Sequence, residues 1–137
     1  MNTGPKNTNV TVVEVLTLDE TFYIVQPSLV KIDVEGYEAF VIRGGKEFFS
    51  NENVLGIIIE INGSGKQIGI LDKDLDNTLK AHNLKPISYD PFNRNIKASN
   101  YSNEGSTIYL KDIEDAQTLP IISRYSGKVS LVNCYLL

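Results

Sequence analysis

Several residue types are scarce in this chain, and each scarcity excludes something. Cysteine occurs once, at Cys134, histidine once, at His82, methionine only at position 1, and tryptophan not at all. A single cysteine forbids an intrachain disulfide and a thiolate metal cage, and it fits a cytoplasmic protein. No apolar run approaches the roughly 20 residues that span a bilayer, so no membrane segment is expected. Residues 1–9 are polar with no apolar stretch of the signal-peptide kind, and they read as a disordered amino terminus. The net charge is −4 and the basic residues are scattered, Arg43, Lys46 and Lys66 among them. Phosphate backbones need clustered Lys and Arg, so nucleic acid is not an expected partner. There is no internal repeat and no heptad. Three glycosylation-type triplets, at Asn9, Asn62 and Asn100, read as chance matches to a short pattern in a chain without an export signal.

What remains is the composition of one soluble domain: 137 residues, 42% hydrophobic and 22% charged, enough to bury a core. Valine-rich residues 11–16 read as a strand. Thr17-Leu18-Asp19-Glu20 is a capping box that opens a short helix to about Tyr23. Residues 29–34 form a near-continuous apolar run of the kind buried inside a parallel sheet. A helix follows from Gly36, with Tyr37, Phe40, Val41 and Phe48 marking its apolar face and Gly44-Gly45 interrupting it. Residues 54–61 read as a second buried strand. Leu71, Leu75, Leu79 and His82 share a helical stripe over residues 72–83. Residues 84–89 and 106–110 are two more strands, joined by a polar, Asn-rich connection. This order predicts an α/β fold with a doubly wound, mostly parallel sheet and a closing antiparallel hairpin. Residues 113–137 form a tail in which 129–137 is apolar enough for a strand.

The chemistry concentrates where the first buried strand ends. Lys31-Ile32-Asp33-Val34-Glu35-Gly36-Tyr37-Glu38 delivers two carboxylates, one residue apart, to the carboxyl end of a strand, and a glycine then turns the chain into a helix. In open α/β sheets ligands bind in the crevice beyond those strand ends, and buried acids must be paired, bonded or used. Glu60 interrupts the second apolar strand near the same edge, with Asn62 just beyond. Neighbouring parallel strands would bring Glu60 and Asn62 within reach of Asp33. Asp33, Glu60 and Asn62 together offer oxygen ligands of the type that holds Mg²⁺. Against that stand plainer roles, in which one acid of the pair caps the following helix or Glu60 pairs with Lys31 or Arg43. Glu38, in the first helical turn, reads as a partner of the helix dipole.

The run Val30-Lys31-Ile32-Asp33-Val34-Glu35-Gly36-Tyr37-Glu38, with Val41-Ile42-Arg43-Gly44-Gly45 after it, resembles the signature of FkbM-type methyltransferases. The segment Val13 to Glu20 is similar to the part of that family preceding the strand, and Val54 to Asn62 to its next core strand. The resemblance covers roughly residues 10–112 and implies a partial domain of the class I methyltransferase, Rossmann-like fold. It implies S-adenosylmethionine as cofactor and methyl transfer to the hydroxyl of a small molecule such as a sugar. Asp33 and Glu60 become the candidate catalytic residues, by base catalysis or through Mg²⁺. Glu35 and Asn62 become candidate substrate contacts. The family's cofactor-binding half, a glycine-bearing strand and an acid for the ribose, has no counterpart here. The domain is therefore expected to be incomplete and inactive alone, with the missing half or self-association covering the exposed edge of the first strand. The rival readings are a non-catalytic binding or assembly module on the same scaffold and a metal-dependent enzyme using Asp33 and Glu60.

Other motifs carry less. Gly63-Ser64-Gly65-Lys66 lacks the first glycine and the following Ser or Thr of a phosphate-binding loop. His82 fits a helix end favoured by the dipole. Tyr89, Tyr101, Tyr109 and Tyr125 read as packing residues. Tyr89 to Arg94 reads as a turn between strands on which Arg94 could meet an anionic acceptor.

Overall fold

A computed structural model describes residues 12–24 and 27–111, together with the backbone of 132–134. The expected capping box forms: Thr17 Oγ1 accepts from Glu20 N–H at 3.2 Å, and Glu20 accepts from Thr17 N–H at 2.7 Å. It starts α1 (Leu18–Phe22), after which come β1 (Leu29–Ile32), α2 (Glu38–Arg43), α3 (Lys46–Ser50) and β2 (Gly56–Glu60). A 3₁₀ turn (Ser64–Ile68) leads to α4 (Asp72–Ala81), β3 (Lys85–Asp90), β4 (Asn95–Ala98), β5 (Ser106–Leu110) and β6 (Val132–Cys134). The break expected at Gly44-Gly45 separates α2 from α3. No described helix is long and apolar enough to cross a membrane.

The strands form one sheet in the order β4-β3-β5-β2-β1-β6. β1 and β2 are adjacent and parallel, with Val30 opposite Ile57 and Ile32 opposite Ile59. β6 pairs in parallel with the other side of β1. The remaining pairs, β2 with β5, β5 with β3 and β3 with β4, are antiparallel. The expectation of a mostly parallel sheet is thus corrected to a mixed one. Two of these pairs arise because β5 lies between β2 and β3 and runs against both, and the Asn-rich connection adds the third. Asp90 accepts hydrogen bonds from the backbone N–H groups of Phe92 and Asn93 and from the Asn93 side chain. Arg94, at φ 51°, completes the reversal. The connection so becomes a hairpin with its own strand, β4, which sequence pattern did not reveal.

The core lies on one side of the sheet. Side chains alternate along a strand, so Val30 and Ile32, Ile57 and Ile59, and Thr107 and Tyr109 line one face, and all six are buried. The apolar members of this row join Ile42, Phe48, Phe49, Leu75 and Leu79 from α2, α3 and α4 in a single cluster. Phe22 of α1 meets Phe48 edge-on at 5.5 Å. Among the described residues the helices therefore cover one face, so the expected double winding is shown only in part. Lys31, Asp33, Ile58 and Glu60 alternate to the other face.

Two further expectations are corrected. Residues 12–17 have no regular structure and are exposed, although 11–16 read as a strand: among the described residues no strand lies beside them to take up their hydrogen bonds. On α2, Tyr37 and Phe40 are half exposed while Glu38 is buried, because the Glu38 carboxylate is needed inside, as shown below. Leu71 caps α4 on the surface rather than joining its buried stripe. The expectations for residues 1–9 and for most of 113–137, Tyr125 included, fall outside the described residues.

One polar device ties α4 to the sheet. The hydroxyl of Tyr109, which is fully buried, donates to Asp76 Oδ1 at 2.9 Å, and Asp76 Oδ2 receives Lys80 at 2.6 Å. Burial, then the bond to Asp76, pushes the Tyr109 hydroxyl far above its ordinary pKa. Tyr109→Phe should cost about 1–3 kcal/mol, since it strands one buried carboxylate oxygen. Urea unfolding of the two proteins measures it, and a cost near zero would show that Lys80 alone satisfies Asp76.

Candidate active site

The site begins with a backbone turn. After Ile32 the chain passes through Glu35 at φ 49° and Gly36 at φ 102°, two left-handed residues in succession. Glycine adopts this conformation freely, whereas for Glu35 it costs on the order of 1–3 kcal/mol and marks a place worth chemical scrutiny. Glu38 compensates: its buried Oε1 accepts from the N–H groups of Val34 at 3.3 Å and Gly36 at 3.2 Å. A Cβ on Gly36 would lie 3.1 Å from the carbonyl carbon of Ser64 and 3.3 Å from the nitrogen of Gly65. The turn after β1 and the turn after β2 thus touch backbone to backbone.

That contact draws the acids together. One carboxylate oxygen from each of Asp33, Glu35 and Glu60 lies within 4.8 Å of the others. Asp33 and Glu60 are half-buried and Glu35 is exposed. Lys31, two residues before Asp33 on the same face, donates to Asp33 Oδ2 at 2.8 Å. This bond is the main reason that the Asp33 carboxyl is held below its usual pKa. Glu60 moves the other way. Burial raises its pKa first, then the charge of Asp33 and a hydrogen bond with it, then the charges of Glu35 and Glu38. Two carboxyls whose environments push their pKa values apart divide into a base and a proton holder. Asp33 keeps the charge and Glu60 takes up the proton more readily.

The remaining residues singled out from sequence separate into clear roles. Asn62 Oδ1 accepts from Ser64 N–H at 3.0 Å, closing its own loop. Arg43 lies over the Phe40 ring at 5.7 Å, and Lys31 binds Asp33, so neither forms an ion pair with Glu60. Glu38 is a turn-closing group, a role that its position in the first helical turn did not disclose. His82 sits at the carboxyl cap of α4 with its ring 5.4 Å from Phe49. Lys31 was the functional neighbour that pattern reading undervalued, and the period-2 spacing to Asp33 was its signal. As metal ligands, Asp33, Glu35 and Glu60 present the hard oxygen set that Mg²⁺ takes. One oxygen of Asp33 is already committed to Lys31.

The profile of the methyltransferase FkbM domain matches residues 2–86. The chain belongs to the FkbM methyltransferase domain family. No curated protein and no solved structure gives a significant match. The matched span of this FkbM domain contains the acid cluster and both turns that build it. Its chemistry predicts a pH effect on stability with a definite sign. Because Glu60 binds its proton more tightly folded than unfolded, its contribution is favourable in acid and is lost as pH rises through its elevated pKa. Glu60→Gln should therefore raise the melting temperature at pH 7 and change it little at pH 4. Equal shifts at both pH values, read by calorimetric melts, would show that the substitution acts through packing instead.

Proposed function

We propose that this FkbM domain carries the acceptor side of an O-methyltransferase site. The observation that supports this most is the convergence of Asp33, Glu35 and Glu60 within 4.8 Å beyond the carboxyl ends of two adjacent parallel strands, where Rossmann-like sheets bind ligands. The acceptor is a small-molecule hydroxyl compound such as a sugar. Asp33, kept ionised by Lys31, accepts the acceptor's hydroxyl proton as the oxygen gains its methyl group. Glu60, whose carboxyl binds a proton more readily than an ordinary one, stands beside Asp33 and steers its free oxygen. Glu35, exposed at the rim, and the amide nitrogen of Asn62 contact neighbouring hydroxyls. Base catalysis of this kind is worth about 10²–10⁴ in rate. A cytoplasmic setting without a nucleic-acid partner belongs to the same reading.

The family implies S-adenosylmethionine, which supplies a methyl group on an electrophilic sulfonium when bound. The described residues do not make up a complete site for it. The strand beside β1 is β6, and Val132-Asn133-Cys134 brings neither a glycine turn nor an acid for the ribose. These residues alone should turn over little or no acceptor, and calorimetry should show no S-adenosylmethionine binding tighter than about millimolar. Micromolar binding would place the cofactor grip within this chain.

The proton-transfer role has its own test. In a form of the domain that methylates an acceptor, Asp33→Asn should cut turnover by about 10²-fold or more with little change in cofactor affinity, since the charge acts in the transition state. Retained turnover with a lowered melting temperature would assign Asp33 to structure. A second reading, in which Mg²⁺ bound by Asp33, Glu35 and Glu60 lowers the acceptor's pKa, is favoured by the same close spacing. It is told apart by loss of turnover on chelation and recovery with Mg²⁺.

A further inference from the structure

Asn62 and Gly63 are the one Asn-Gly pair in the sequence, and they stand in the loop between β2 and the 3₁₀ turn. An asparagine side chain can be attacked by the backbone nitrogen of the residue that follows it. The attack closes a five-membered ring, and a side chain on that next residue obstructs it. Glycine has none, and its backbone turns most freely. Asn62 is exposed, so water reaches it and a leaving group can depart.

The loop supplies what such a reaction needs. Asn62 Oδ1 accepts from the N–H of Ser64 at 3.0 Å. This bond draws electron density from the amide carbon, and its donor already points at the oxygen that becomes negative during attack. A backbone N–H so placed stabilises an oxyanion. Gly63 lies at φ 80°, just before the 3₁₀ turn. A Cβ built there would lie 3.4 Å from Lys66 Nζ and 3.8 Å from Asp72 Oδ2. An ammonium beside Gly63 favours the negative charge that builds as the nitrogen loses its proton. A carboxylate stands at the same place to receive that proton.

We propose that Asn62-Gly63 is a self-modification site, at which the folded loop converts the asparagine to isoaspartate and aspartate. The Gly63 nitrogen gives up its proton and bonds to Asn62 Cγ. The bond from Cγ to the side-chain nitrogen breaks, and ammonia leaves with a proton. Water, the one co-reactant, then opens the succinimide ring. Addition at Cγ gives aspartate. Addition at the main-chain carbonyl gives isoaspartate, whose backbone runs on through Cγ and is longer by one carbon. Either product puts a new carboxylate two residues beyond Glu60 and removes the amide nitrogen of Asn62. In isoaspartate the bond from Ser64 is lost as well, so the turn that touches Gly36 loses one of its closing contacts. The reaction is independent of methyl transfer.

Warming the whole folded chain in neutral buffer for days, then mapping each asparagine by peptide mass, tests this. Asn51 is the internal control. Its Oδ1 accepts from Asn53 N–H at 2.8 Å, the same kind of bond, but Glu52 follows it in place of glycine. Asn62 should change from amide to acid several-fold faster than Asn51, with isoaspartate, told from aspartate by fragmentation, among its products. It should also convert several-fold faster in the folded chain than in a free peptide of residues 58–67, which does not hold the Ser64 and Lys66 groups in place. An Asn62 that keeps its amide, or that becomes aspartate alone, would overturn the proposal. So would faster conversion in the peptide, since the fold would then protect the pair rather than drive its reaction.

Discussion

Everything at the acid cluster depends on the hydrogen bonds from Val34 and Gly36 to the buried carboxylate of Glu38. A chain leaving a strand through two left-handed residues has amide groups with no ladder to join, and buried amides without partners are costly. Glu38 reaches back from the first turn of α2 and closes them. With the turn fixed, Gly36 can lie against Ser64 and Gly65 without a side chain between them. The two strand ends are thereby locked at a separation that leaves Asp33, Glu35 and Glu60 facing one another. Without the Glu38 contact the turn would relax, and the acids would repel one another into solvent.

Three carboxylates this close cannot all hold charge at little cost, and the structure resolves the conflict unequally. Lys31 stands by Asp33, and Glu60 is left with the burial and the repulsion. Charge separation of this kind is common where proton transfer occurs, though ion-pair networks of purely structural purpose also produce it. What favours chemistry here is position. The pair stands at the carboxyl edge of parallel strands, on the face away from the helices, and beside a strained residue, Glu35.

Much of this was legible in the sequence, and the failures have physical causes. The parallel pairing of β1 with β2 followed from two uninterrupted apolar runs, and the meeting of Asp33 with Glu60 followed from that pairing. The capping box at Thr17 was local and so could be read directly. Glu38 does stand in the first turn of α2, but its turn-closing role was hidden because an acid there looks alike whether it faces solvent or reaches inward. Tyr37 and Phe40 were misassigned, since burying Glu38 rotates the aromatic pair outward. β4 escaped notice because a hairpin held by Asp90 and Asn93 leaves no hydrophobic period. The face that the described helices cover was hidden for a related reason. Period-2 alternation is weak in Ile-Ile-Ile, and a run apolar on both faces does not say which face a helix will cover.

The one-sided core also decides how substitutions at the site should be interpreted. Val30, Ile32, Ile57 and Ile59 pack toward the helices, while Lys31, Asp33 and Glu60 alternate away from them. The residues that carry the charge pattern therefore share strands with the core but none of its packing. Removing a charge at Asp33 or Glu60 leaves the apolar cluster intact, so its cost to stability should be small and should vary with pH. Glu38 differs, because its carboxylate is buried and bonded to backbone. A change there would disturb the fold and the site together. The two classes of acid in this one motif are thus separated by which side of the sheet each serves, and only the half-exposed pair is free to serve chemistry.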